Sequence, residues 1–172
     1  MAVRNMFDIP VFQIQCYNWG HKKQQLLDIV GNLGRHRFVY TDYHQLPTLD
    51  YTEQVHQILS DEIYQFSNVF NLKEVRVKRA WFERAEQHDY HHVHSHGSTG
   101  FSAVCYINYD KTEHTPTCFI APFKNWLTGT DLVYVPEVDQ GTVLFFPSAI
   151  MHYTEANQSE KTRTIVSFNL QC

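Results

Sequence analysis

The chain has 172 residues, 43% of them apolar and 15% aromatic, enough for one domain with a proper core and too apolar for a disordered segment. A net charge of -4 makes no electrostatic case for nucleic acid, and no apolar run approaches the roughly 20 residues of a membrane span. The four cysteines (Cys16, Cys105, Cys118, Cys172) show no close pairing and the first twenty residues no signal-peptide pattern, so reduced thiols and a cytoplasmic setting are expected.

Residues 7–16 alternate loosely and predict a short strand at Val11 and Phe12, after Pro10. Residues 18–33 carry Leu26, Leu27 and Val30 at helical spacing and stop near Gly31 and Gly34, which predicts a first helix. Residues 35–49 are polar and aromatic, contain Pro47, and read as irregular. Asp50 to Glu53 has the form of a capping box, and Val55, Ile58, Leu59, Ile63, Phe66 and Phe70 follow at three- and four-residue steps. One long helix is expected there, its apolar stripe a packing face against a sheet.

From Lys73 the period becomes two. Strands are expected at 75–81, 101–108, 117–120, 132–135, 142–146 and 164–170, with Gly141 and Pro147 as turn residues. Helices followed by strands predict an α+β chain, mainly β, built around a sandwich of the jelly-roll type found in cupins. It is read as a single domain, 1–172. Residues 1–72 supply an N-terminal strand and supporting helices, and residues 73–172 the jelly-roll core. Residues 122–130, with Trp126 and Gly129, are the expected mobile loop over the site.

The chemistry concentrates in one stretch. His88, His91, His92, His94 and His96 fall within nine positions. Imidazole is the commonest biological metal ligand because it is neutral and available near physiological pH. In an extended strand, residues two apart share a face. His92, His94 and His96 are therefore expected on one face and His91 on the other. A third ligand must come from elsewhere, and His152 is the candidate. Arg163, eleven residues later, opens a strand, and its planar fork is suited to gripping a carboxylate.

The pattern of Trp81, His94-Ser95-His96, the strand Phe101 to Tyr106, Phe146-Pro147-Ser148, His152, Arg163 and Ser167-Phe168-Asn169 resembles the small non-haem iron, 2-oxoglutarate-dependent oxygenases. It is most similar to a branch common in marine phages and bacteria. Residues 6–12 also fit, so the resemblance spans nearly the full length. It implies the double-stranded β-helix fold with N-terminal helices on one sheet. It also implies Fe(II) and 2-oxoglutarate as cofactors and O2 as co-reactant. The activity implied is hydroxylation of a protein side chain such as proline, an amino acid or a small metabolite.

The resemblance places His94 and His96 at its His-x-His positions, with His152 as the third metal ligand. Arg163 would pair with the distal carboxylate of 2-oxoglutarate, and Tyr106 and Ser167 would add hydrogen bonds. His92 and Asp89 remain rival ligands. His96 stands where better-known members carry a carboxylate, and Ile165 replaces a usual serine two residues after the arginine. A set of three histidines equally suits Zn(II) with a bound water, so a zinc hydrolase or lyase on a cupin-like barrel stays open. So does a non-catalytic, metal-stabilised jelly-roll binding module.

Overall fold

The computed structural model describes residues 8–45 and 50–172. Met6, Phe7 and Pro47, which the sequence pattern drew on, lie outside them. Among the described residues the chain runs β1 (Phe12–Gln15), α1 (Trp19–Ile29), β2 (Gly34–His36), β3 (Val39–Thr41), a 3-10 turn at Tyr43–Gln45, α2 (Thr52–Ile58) and α3 (Ser60–Val69). Eight strands follow: β4 (Arg76–Ala85), β5 (His91–His94), β6 (Phe101–Asn108), β7 (Cys118–Lys124), β8 (Asp131–Tyr134), β9 (Thr142–Pro147), β10 (Met151–Thr154) and β11 (Arg163–Gln171). They form two antiparallel sheets, ordered β1-β9-β6-β11-β4-β3-β2 and β5-β10-β7-β8. The result is an open, two-sheet jelly roll, mainly β, with helices on one side, as expected; it does not close into a barrel.

The larger sheet is buried on both faces, which is why its central strands read as continuous apolar runs. Val143, Phe145, Val166 and Phe168 point to one side and pack with Leu26, Val55, Leu59, Ile63 and Phe66 of the helices. Their strand neighbours Leu144, Phe146 and Ile165 point to the other side, where with Val104, Tyr106 and Phe119 they fill the space between the sheets. Phe66 stacks on Phe145 at 4.5 Å between ring centroids. Lys22 of α1 reaches Glu62 of α3 at 2.8 Å, a buried ion pair that ties the helices together.

Three local expectations need correction. Residues 35–49 are not irregular throughout. β2 and β3 make a hairpin that extends the large sheet past β4, with Tyr40 opposite Arg84 and Thr41 opposite Glu83. Strands of three residues are too short to show a period of two. The expected long helix is two, α2 and α3, meeting at Leu59 (φ -101°, ψ 19°). The chain stays helical in direction because Leu59 N–H still bonds Val55 O and Ile63 N–H bonds Leu59 O. The capping box is not formed either: Asp50 accepts from Thr52 N–H at 3.0 Å rather than from Glu53.

Candidate metal and cosubstrate site

β5 and β10 are neighbours in the small sheet, with His94 directly opposite His152. His96 follows just beyond the end of β5, and its backbone N–H is held by Ser148 O at 2.9 Å. One ligand nitrogen from each of His94, His96 and His152 lies within 4.8 Å of the others. His94 Nδ1 bonds His92 O at 2.8 Å and His152 Nδ1 bonds Ile150 O at 2.9 Å. A carbonyl accepts only, so both rings carry their proton on Nδ1 and present Nε2 as a free lone pair. His152 Nε2 and His96 Nε2 are 3.1 Å apart. Two donors each about 2.1 Å from one ion stand about 3.0–3.4 Å apart, so this spacing fits a shared metal.

Burial favours the neutral rings. It lowers His94 to about 4 and His96 to about 3, with the neighbouring histidines adding to the effect, and it lowers His152 in the same direction. Neutral imidazole is the form that binds a metal, so the donor set fits Fe(II) without first losing protons.

His91 is not on the opposite face. Its ring stacks on His94 at 4.1 Å, and it lines the same small cavity as His94, His96 and His152. The reason is a bulge. His152 pairs with His94 but Thr154 pairs with His91, so two steps on β10 oppose three on β5 and the alternation resets. His92 is exposed and outside the three-histidine group. Asp89 is buried, but Arg35 at 2.7 Å and the Glu86 N–H occupy it.

Opposite the histidines, β11 turns Ile165 and Ser167 inward, and Ser167 lies across from Trp81 and Val104. Arg163 begins that strand and is buried. Its Nη1 donates to Thr115 O at 3.0 Å, while Nη2 has no hydrogen-bond partner. A buried guanidinium with an idle N–H fits the carboxylate of 2-oxoglutarate. The Tyr106 hydroxyl accepts from Thr117 N–H at 3.0 Å, which leaves its own proton available.

Glu83 is a site residue that the sequence pattern did not single out, and His91 one that it placed on the opposite face. Glu83 shares the inward parity of Trp81 on β4, and that was the available signal. His91 Nδ1 lies 2.8 Å from its Oε2, and Arg163 Nη2 lies 3.9 Å from its Oε1. Burial acts to raise the Glu83 carboxyl, but the His91 bond and the charges of His91 and Arg163 outweigh it and hold the group below its ordinary value.

Two cavities meet at the cluster. One of about 20 Å3 lies between the sheets, and one of about 320 Å3 adjoins it, sharing Trp81, Glu83, His91, His94 and His96. The β2–β3 hairpin walls the larger one with Phe38, and Tyr43 and Tyr90 complete its aromatic lining. Residues 122–130 line neither cavity. β7 takes the segment as far as Lys124, and Asn125 closes the turn by bonding Thr130 and Gly129. A groove of about 620 Å3 between α1 and the α2–α3 pair contains none of the three clustered histidines.

Three converging histidines inside a two-sheet jelly roll are the arrangement of a metal-dependent enzyme. The family model described as "Putative 2OG-Fe(II) oxygenase" matches residues 79–169, over half of the chain, and the chain belongs to that family, whose cofactors are Fe(II) and 2-oxoglutarate. Solved structures agree on the fold. An oxidoreductase of the 2OG-Fe(II) oxygenase family from Burkholderia pseudomallei is 16% identical, with TM-score 0.68, 94% of this chain covered and 84% of that one. A Pseudomonas putida prolyl-4-hydroxylase is 11% identical, with TM-score 0.63 and coverage of 95% and 94%. HygX from Streptomyces hygroscopicus, solved with nickel and 2-oxoglutarate bound, is 12% identical, with TM-score 0.62 and coverage of 94% and 82%. No curated protein matches the chain in sequence.

Proposed function

We propose that His94, His96 and His152 hold Fe(II), that Arg163 anchors the distal carboxylate of 2-oxoglutarate, and that the chain hydroxylates a C–H bond of a small group presented in the 320 Å3 pocket. The observation that carries this reading is the pairing of three converging imidazoles with a buried, half-partnered arginine. When bound, Fe(II) with 2-oxoglutarate and O2 supplies oxidative decarboxylation to succinate and CO2 coupled to oxygen insertion. The chain's own residues orient and shield. The Ile150 and His92 carbonyls fix the tautomers of His152 and His94. Arg163, assisted by the Tyr106 and Ser167 hydroxyls, sets the direction of the cosubstrate, and the apolar walls at Val104, Phe146 and Ile165 keep water out.

The substrate is a protein side chain such as proline, a free amino acid or a small metabolite. The pocket's size and its Phe38, Tyr43, Trp81 and Tyr90 lining support a compact, partly apolar group. Reduced cysteines support a cytoplasmic setting, since all four are free and three of them are buried. Among the described residues no helix is long and apolar enough to cross a membrane.

The all-imidazole donor set favours one second reading, a Zn(II) hydrolase with a metal-bound water. Anaerobic titration of 2-oxoglutarate into the Fe(II)-loaded protein separates the two. The oxygenase gives a visible charge-transfer band that saturates with the keto acid, and then succinate once O2 and substrate are added. A protein that retains only zinc and shows no band is the hydrolase.

A further inference from the structure

Arg163 and Glu83 are each 3% exposed. A buried guanidinium needs a counter-charge, and Glu83 is the one carboxylate within 4 Å of it among the described residues. The contact is incomplete. Arg163 Nη2 and Glu83 Oε1 are 3.9 Å apart, and neither has a hydrogen-bond partner. The other half of each group is committed, Nη1 to Thr115 O and Oε2 to His91. Glu83 lines the small cavity beside the three histidines, whereas Arg163 does not, so the carboxylate stands between that cavity and the guanidinium.

We propose that Glu83 is the internal counter-ion of Arg163, a carboxylate that competes with the distal carboxylate of 2-oxoglutarate for the same guanidinium and thereby sets the affinity for the cosubstrate. This rests on the reading of Arg163 as the cosubstrate anchor. Adding a second anion next to a buried first one is opposed by like-charge repulsion, which weakens as Glu83 is neutralised or withdrawn. The distal carboxylate of the cosubstrate therefore gains less in this protein than the arginine alone would give it.

The test is direct binding to the anaerobic, Fe(II)-loaded protein, read by calorimetry or tryptophan fluorescence, with no turnover required. Two ligands are compared: 2-oxoglutarate, and 2-oxopentanoate, which keeps the 2-oxo acid head and chain length but lacks the distal carboxylate. Glu83→Gln, nearly isosteric, should bind 2-oxoglutarate roughly tenfold tighter than wild type and 2-oxopentanoate unchanged. Glu83→Asp, which pulls the carboxylate back, should show a smaller gain of the same sign, and it carries the test if Glu83→Gln does not fold. An equal gain for both ligands, or no gain for 2-oxoglutarate, overturns the competition. Arg163→Ala separates the anchor from its counter-ion. If it keeps the wild-type preference for 2-oxoglutarate over 2-oxopentanoate, the anchor assignment fails and the inference falls with it. If it loses that preference while Glu83→Gln shows no gain, only the role of Glu83 fails.

Discussion

His94, His96 and His152 differ from the other histidines of the cluster in what their ring nitrogens can do. Replacing any of the three by Ala should abolish stoichiometric Fe(II) binding, measured by metal analysis after anaerobic loading, while His91→Ala and His92→Ala should retain it. Loss in His92→Ala with retention in His96→Ala would shift the ligand set by one pair. The rings also set a pH response in the metal-free protein. Their folded pKa values lie below the ordinary value of 6.5, at about 4 for His94 and about 3 for His96. Between 6.5 and 4 the unfolded chain therefore binds more protons than the folded one, and stability falls as the pH falls through that window. A tenfold difference in proton affinity between folded and unfolded chain corresponds to about 1.4 kcal/mol, so with partial exposure a loss of about 1–3 kcal/mol is expected between about pH 7.5 and pH 5. Urea midpoints should show it, and His96→Gln should flatten the dependence. At this scale the His-x-His pair and His152 were legible because histidine is a metal-ligand type and the spacing of the cluster is conspicuous. Glu83 was not, because one carboxylate in a strand looks like any solvated position until the opposing strand places Arg163 beside it.

The elements show why the histidine group sits where it does. Ser102 on β6 bonds both Ser148, in the turn before β10, and Asn169 on β11, at 2.8 and 2.9 Å. Ser148 O in turn holds the His96 N–H. The serine and asparagine that made the family pattern recognisable are thus struts between the large sheet and the loop that carries His96. Gly141 has a comparable role before β9. Its φ is +79°, and a Cβ there would lie 2.7 Å from the Trp19 ring. Gly141→Ala should cost about 2–3 kcal/mol in urea unfolding, combining the left-handed backbone with the clash. Fe(II) binding should survive in the folded fraction, because Gly141 packs against Trp19 of α1 and lines neither cavity at the histidines. The long strands were readable from their period. The β2–β3 hairpin was not, because β3 gains its regularity from pairing with β4 and β2 from pairing with β3, contacts that no local pattern encodes.

At the scale of the whole molecule, the proposed ligands divide unevenly between the two sheets. His94 and His152 lie on β5 and β10 of the small sheet and His96 just after β5, whereas Arg163 and Ser167 lie on β11 of the large one. Fe(II) held by these ligands would therefore staple neighbouring strands within one sheet. A 2-oxoglutarate held by the metal at one end and by Arg163 at the other would link the sheets across the core that Tyr106, Phe119, Phe146 and Ile165 fill. The stabilisation should be cooperative. At a concentration one hundred times its Kd, a ligand adds about 2.7 kcal/mol to folding, and 1 kcal/mol moves Tm by about 2–4 °C in a domain of this size. Calorimetric scans under anaerobic conditions should show 2-oxoglutarate raising Tm by about 5–10 °C when Fe(II) is present and by much less without it. Arg163→Ala should keep the shift produced by Fe(II) and lose most of the further shift produced by 2-oxoglutarate. Identical 2-oxoglutarate shifts with and without Fe(II), or an undiminished shift in Arg163→Ala, would mean that the keto acid does not span the two sheets.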